Sequence, residues 1–321
     1  MTYSEINFNS KTVLITGGAG FIGSNLAFHL QENYPLCRIV IFDAFVLGHF
    51  KNLRGFKGEV ISGDIANAED LARLEKYKFD YIFHEAAISD TTVMDQKLVV
   101  KVNTNAFRDV LEFAKKQNAI IVYASSAGTY GNSPAPNSVG EGENPENIYG
   151  FSKLMMDHLA MRFADENKMT IVGLRYFNVY GEREVYKGKI ASMILQLGLQ
   201  MLSGKKPKLF KWGEQKRDFV YIEDVVQANI RALSAKKSGV YNVGSGTARE
   251  YNEIFGNLTE TLKCHIEVEY IDNPYSFFQK HTEADIALTR EFLGYEPRFG
   301  LEDGIKSYAP EIVSIYENHI R

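Results

Sequence analysis

The chain has 321 residues with ordinary hydrophobic (45%) and charged (24%) fractions, enough for one large domain or two lobes with a real core. A net charge of −4 with no long basic run argues against nucleic acid as the main partner. No apolar run reaches bilayer length, so no membrane partner is expected. The N-terminus lacks a basic region followed by an apolar one, so no signal peptide is expected. Cys37 and Cys264 have no metal-ligand spacing. No metal is expected, and a reducing cytoplasm fits.

Thr12 to Thr16 reads as a short strand, Gly17-Gly-Ala-Gly-Phe-Ile-Gly23 as a turn, and Ser24 to Gln31 as a helix. Strand, glycine turn and helix are the context a dinucleotide fingerprint requires. Gly17 permits the tight turn, Gly20 lets backbone approach a pyrophosphate, and Gly23 lets helix and strand pack closely. The helix N-terminus, with Phe21 and Ile22 in its first turn, turns free N–H groups to the phosphates. A second strand, Arg38 to Phe42, ends in Asp43, placed to accept the adenosine ribose hydroxyls. An acid there repels a 2′-phosphate and points to NAD. Lys51 and Arg54 either reverse that preference or are simply solvated.

Glu59 to Ile65 reads as the third strand, with Asp64 at its C-terminal end, the edge where ligands bind in open α/β sheets. Asp80 to His84 is the fourth, followed by Glu85-Ala86-Ala87, where small residues let backbone approach a flat ligand. Leu98 to Gln117 reads as one long helix, and Ala119 to Ser126 as the fifth strand. The alternation predicts an α/β fold with a doubly wound, Rossmann-like parallel sheet.

Tyr149 and Lys153, four residues apart, share one helix face. A free phenol, with a pKa near ~10, is a poor base at neutral pH. A neighbouring ammonium favours the phenolate, so the pair can move protons at pH 7. Ser126, at a strand end, either holds a substrate oxygen beside Tyr149 or only caps the strand.

Thr170 to Tyr176 is the sixth strand, and Phe177 to Gly181 a turn leaving the sheet. Ile190 to Ser203 is an amphipathic helix. Arg217 to Tyr221 and the helix Asp224 to Ala235 are expected to return to the main sheet, with Val240 to Val243 as a seventh strand. The domain division expected is 1–176 plus 217–243 for the dinucleotide and 177–216 plus 244–321 for a smaller C-terminal substrate lobe. The aromatic cluster Tyr270, Tyr275, Phe277 and Phe278 reads as core in preference to a ligand platform.

Six stretches together make the chain resemble the extended short-chain dehydrogenase/reductase superfamily of nucleotide-sugar epimerases and dehydratases. They are 16–23, Gly63-Asp-Ile65, His84-Glu-Ala-Ala87, Ser125-Ser-Ala127, Tyr149-Gly-Phe-Ser-Lys153 and Arg175-Tyr-Phe-Asn-Val-Tyr-Gly181. Dehydratases of this group carry an acidic pair where this chain has Ala127 and Gly128. Ser89-Asp-Thr-Thr92, Arg183-Glu184 with Lys187-Gly188, Pro207-Lys-Leu-Phe210 and 216–221 make it most similar to the ADP-L-glycero-D-manno-heptose 6-epimerase family.

That resemblance implies an isomerase inverting C6″ of an ADP-heptose for lipopolysaccharide in a Gram-negative cytoplasm. It implies a homo-oligomer and a tightly bound nicotinamide cofactor, generally NADP, with NAD as the alternative. It implies a catalytic set of Tyr149, Lys153, Ser126 and Lys187, the last acting either as a second acid/base group or as a phosphate-binding or solvated lysine. It implies cofactor contacts from Gly17, Gly20, Phe21, Ile22, Gly23, Asp43, Ala44, Lys51, Asp64, Ile65, Glu85, Ala86, Ala87, Ser89, Lys153 and Val179. Substrate contacts are implied for Ser126, Asn178, Lys189, Gln196, Phe210, Lys211, Arg217 and Phe278. Departures from the family pattern include Glu182 for a proline, Val102 for an asparagine with Asn103 beside it, Ala44, Val46 and Phe278. A hexose 4-epimerase, a heptose-modifying paralogue and a non-catalytic NAD(P)-binding regulator are the rivals.

Overall fold

The protein is described here by a computed structural model covering residues 6–273 and 280–319. Its strands are β1 (Thr12–Thr16), β2 (Arg38–Asp43), β3 (Glu59–Ser62), β4 (Tyr81–His84), β5 (Ile120–Ser126), β6 (Ile171–Tyr176), β7 (Asn178–Tyr180), β8 (Lys208–Phe210), β9 (Lys216–Tyr221), β10 (Gly239–Val243), β11 (Ala248–Glu250), β12 (Glu269–Ile271) and β13 (His281–Thr282). Its helices are α1 (Phe21–Asn33), α2 (Ala68–Ala72), α3 (Gln96–Val99), α4 (Ala106–Gln117), α5 (Ile148–Asn167), α6 (Met193–Leu202), α7 (Ile222–Ala232), α8 (Tyr251–Leu262), α9 (Ala287–Leu293) and α10 (Leu301–His319).

Seven strands form one sheet in the order β10-β6-β5-β4-β1-β2-β3. Every neighbouring pair in it is parallel. A parallel sheet needs helices on both faces, so its strands are apolar on both. The period of two in a strand divides them. Val13, Ile15, Ile39, Ile41 and Phe83 enter one core, with residues of α1 and α7. Leu14, Val40, Phe42 and Ile82 enter the other, with Phe107, Val110 and Met156 of α4 and α5. Each such fully buried side chain contributes roughly 1.5–3 kcal/mol relative to exposure. Strand order reverses between β1 and β4, and a crevice opens at the strand C-termini there.

Two expectations are corrected. The helix expected over 98–117 is α3, then a π-helical turn Val100–Asn105, then α4. The extra residue per turn lets the Asn103 side chain, fully buried, accept from Ile88 N at 2.8 Å and donate to Ile88 O and Ser152 Oγ, each at 3.0 Å. The second correction concerns 217–243, expected to return to the main sheet as one piece. Only α7, beside α1, and β10 do so. β9 pairs instead with β11 and β13 through its first half and with β7 through its second, so it anchors a separate four-stranded sheet. β8 and β12 pair as a third, small sheet, and α6, α8 and α10 pack together behind the second. No helix among the described residues is long and apolar enough to cross a membrane.

Candidate active site

The crevice at the strand ends is one cleft of about 1370 Å³. That exceeds the roughly 300–1,000 Å³ of a drug-sized site, as a dinucleotide with a second ligand requires. Its floor is the β1–α1 turn. Gly17 has φ +70, and a Cβ there would lie 2.6 Å from Ala86 N; at Gly23 it would lie 2.4 Å from Gly17 O. Both positions need the missing side chain. Gly20 caps α1 with no side-chain hydrogen bond, so the first-turn N–H groups face the cleft. Phe21, Ile22, Asp43, Ala44, Asp64, Ile65, Glu85, Ala86, Ala87, Ser89 and Val179 also line it, as do Ser126, Tyr149, Lys153, Asn178, Lys187 and Lys189. This glycine cradle fits a dinucleotide.

Asp43 is buried, and burial pushes its carboxyl up against two hydrogen bonds that pull it down. Its oxygens accept from Ala19 N at 2.9 Å and Phe45 N at 2.7 Å. The carboxylate thus braces the glycine turn as well as edging the cleft. Lys51 lies elsewhere. Its amine sits 5.8 Å from the Tyr186 ring centroid, and it lines a neighbouring cavity of about 590 Å³.

Tyr149 and Lys153 leave the first turns of α5, whose cap Asn147 accepts from Gly150 N at 2.8 Å. Lys153 is 2% exposed and donates to Ala124 O at 2.8 Å. Burial brings its amine down to about 8, with Glu85 and Asp157 opposing. Its nitrogen is 5.9 Å from the Tyr149 ring centroid. Burial pushes the Tyr149 phenol up, its hydrogen bond with Ser126 pulls it down, and Glu85 pushes it up. Burial is the largest of these influences on the phenol. Ser126 both caps, accepting from Gly128 N at 3.0 Å, and touches Tyr149.

Sequence reasoning missed the support beneath this pair. Asp157, one turn beyond Lys153, accepts from Tyr123 at 2.9 Å, Ser125 at 3.0 Å and Arg175 at 2.9 Å, locking α5 to β5 and β6. The i, i+4 spacing of Lys153 and Asp157 was the available signal. Glu85 accepts from the Tyr176 hydroxyl at 3.0 Å, and Asn229 in turn holds Tyr176 at 2.9 Å. Burial raises the Glu85 carboxyl to about 7, with Tyr176 and Lys153 opposing.

Lys187 lies on a short helical turn, Val185–Ile190, broken at Gly188. Its amine is 5.3 Å from the Phe21 ring centroid. Burial pushes that amine down and Glu184 opposes.

Several expected substrate contacts stand off the cleft wall. Gln196 donates to Ala191 O at 2.7 Å and Lys189 O at 3.3 Å, clasping the Lys187 loop. Lys211 pairs with Asp272 at 2.9 Å, and Phe210 is a β8 residue paired in register with Ile271. Arg217 is buried in β9 opposite Thr282, which does line the cleft. Phe278 lies outside the described residues, as do Tyr275 and Phe277.

A family model described as the NAD dependent epimerase/dehydratase family matches residues 13–244. The chain is similar to the solved ADP-L-glycero-D-manno-heptose-6-epimerase of Helicobacter pylori, at 56% identity over 98% of this chain and 100% of that one, with a TM-score of 0.93. UDP-glucose 4-epimerase of Thermotoga maritima is 29% identical over 94% of this chain and 99% of its own, TM-score 0.88. UDP-N-acetylglucosamine 4-epimerase of Methanobrevibacter ruminantium is 28% identical over 95% and 98%, TM-score 0.87. With the glycine cradle and the Tyr149–Lys153 pair at its strand ends, the chain belongs to the NAD dependent epimerase/dehydratase family.

Proposed function

We propose that the protein inverts C6″ of ADP-D-glycero-D-manno-heptose to give the L-glycero epimer. The similarity to the Helicobacter pylori enzyme supports this substrate. The observation that carries the chemistry is that Tyr149 and Lys187, from separate elements and both displaced in proton affinity by burial, line one cleft. A bound nicotinamide supplies reversible hydride transfer at C6″. The residues handle the protons. Tyr149, held by Ser126, exchanges the C6″ hydroxyl proton in one orientation of the carbinol. After rotation about C5″–C6″, Lys187 exchanges it in the other. Lys153 supplies positive charge near the phenol. Substrate and product are isomers, so the cofactor ends each cycle as it began.

NADP is the form we propose. Asp43 already accepts from two backbone N–H groups, which weakens its repulsion of a 2′-phosphate, and Lys51 and Arg54 follow closely in sequence. Lys51 has to leave Tyr186 to reach that phosphate. Titration with both cofactors tests this: NADP binds more tightly, and Lys51→Ala narrows the gap. Equal binding, unaffected by the substitution, makes NAD the cofactor. We also propose a cytoplasmic homo-oligomer, with main sheet and flanking helices as the dinucleotide unit and β7, β9, β11, β13 and the α6–α8–α10 cluster as the substrate unit.

The direct test incubates the protein with ADP-D-glycero-D-manno-heptose and follows C6″ configuration by NMR, with UDP-glucose in parallel. Equilibration at C6″ supports the reading. Turnover of UDP-glucose at C4″ alone replaces it with a hexose 4-epimerase, the activity named for the relatives below 30% identity.

A further inference from the structure

The loop from Gly181 to Ser192 must hold Lys187 still while the substrate turns. Its regular structure is slight: one short turn with Gly188 at φ 58 inside it. What organises it is a carboxylate. Glu184 is 0% exposed. It accepts from Gly181 N at 3.3 Å, near the start of the loop, and from Ser192 N and Ser192 Oγ, both at 2.7 Å, at its end. Its own backbone carbonyl accepts from Lys187 N at 2.9 Å. One side chain therefore joins both ends of the loop, and the residue carrying it starts the turn on which Lys187 sits.

Further contacts fasten the outside of the same loop. Asn25 of α1 donates to Glu182 O at 2.9 Å, Arg183 N donates to Glu311 of α10 at 2.8 Å, and the Arg183 guanidinium donates to Asn52 O at 3.0 Å. The titratable groups that interact with the Glu184 carboxyl are Lys187 on the loop and Tyr308 on α10; Glu182, Arg183 and Glu311 interact with one another beside it in sequence and on α10. Lys187 is the cation that acts on the Glu184 carboxylate, and Glu184 is the anion that acts on Lys187.

We propose that Glu184 is the positioning residue for Lys187: its hydrogen bonds tie both ends of the loop, and the same carboxylate, when ionised, places a negative charge within reach of the Lys187 amine. This rests on the reading of Lys187 as the second proton carrier. The sign follows from the surroundings. Burial favours the neutral amine, and the Glu184 charge favours the ammonium. Removing the charge leaves burial unopposed, so the amine loses its proton at lower pH.

The test is the kcat–pH profile of Glu184→Gln at saturating substrate, beside Lys187→Met. The expected result is a kcat loss of about 10²-fold, the scale of a misplaced catalytic group, with KM and cofactor affinity retained. The limb of the profile that Lys187→Met abolishes moves to lower pH. A merely structural Glu184 lowers the thermal midpoint and the active fraction but leaves that limb in place, which overturns the proposal. If Glu184→Gln does not fold, Ser192→Ala removes one donor that holds the carboxylate in place and lowers kcat a few-fold per active enzyme at unchanged KM, with the limb unmoved because the carboxylate keeps its charge. An unchanged kcat per active enzyme there overturns the proposal equally. If Lys187→Met retains kcat, the reading of Lys187 fails; if it loses kcat while Glu184→Gln leaves the limb unmoved or Ser192→Ala leaves kcat unchanged, only the Glu184 proposal fails.

Discussion

Tyr149 and Lys187 face the same cleft from two unlike scaffolds. Tyr149 stands in the first turn of a 20-residue helix bonded to β5 and β6 through Asp157. Lys187 stands in an irregular loop held by side chains: Glu184 inside, Gln196 at the rim, Glu311 outside and Arg183 reaching out to Asn52 O. The first arrangement combines the backbone ladder of a long helix with the buried Asp157 network. The second depends on a few buried polar contacts, each costly to leave unsatisfied. A proton carrier whose substrate rotates beside it gains from one immovable partner, and a loop can approach the substrate from outside the sheet edge.

The largest expected effect tests the rigid side. Tyr149→Phe keeps the ring and removes the proton-carrying oxygen. It lowers kcat by at least ~10²-fold while cofactor binding persists. Near-normal turnover, measured by the same NMR assay, removes Tyr149 from the mechanism and leaves the loop as the whole proton apparatus.

A second, intermediate effect is a pH signature. The Lys153 amine, brought down to about 8, is charged below that pH and neutral above it. If its charge supports Tyr149, kcat falls as pH rises through about 8, and Lys153→Met loses both rate and limb. Stability moves oppositely. Between about 8 and the ordinary 10.5, the folded chain binds fewer protons at this site than the unfolded chain, so the unfolding free energy rises with pH. The stability difference between wild type and Lys153→Met therefore shifts in favour of wild type from pH 8 to 10. A rate limb near 10.5 with no such shift contradicts the burial argument.

The smallest effect sharpens the loop side. Gln196 clasps the backbone at Lys189 and Ala191. Gln196→Ala therefore costs about 1 kcal/mol of stability, the scale of one hydrogen bond, and lowers kcat a few-fold with KM unchanged. A rise in KM alone restores Gln196 as a substrate contact.

These two regions also differ in what the chain of letters reveals. The β1–Gly17–α1 unit, Asp43, Ser126 and the Tyr149–Lys153 pair are legible because each depends on neighbours within a few residues: an apolar run, a glycine at positive φ, a one-turn spacing. The parallel order of six strands follows from their alternation with helices. β9 misleads because a strand does not declare its partners, and its edges are taken by β7, β11 and β13 from far along the chain. Glu184 belongs to a stretch that carries the resemblance, yet its role is illegible for the same reason. In sequence it is a glutamate in a polar loop, and only the folded loop brings Gly181 and Ser192 around its carboxylate. Lys51, Phe210, Lys211 and Arg217 match a family motif by position, and their side chains lie off the cleft wall.

The central claim is that two proton carriers serve two orientations of one carbonyl. An analogue already bearing a C6″ aldehyde isolates that step, because one molecule is reduced while another is oxidised as the cofactor shuttles between them. With both groups working, the reaction runs through either carbonyl orientation. In Lys187→Met the account predicts that one orientation fails while Tyr149 still serves the other, with KM little changed and cofactor still bound. A pure rise in KM, with both orientations retained and kcat intact, contradicts it, because a residue that binds ground state and transition state equally is a clamp.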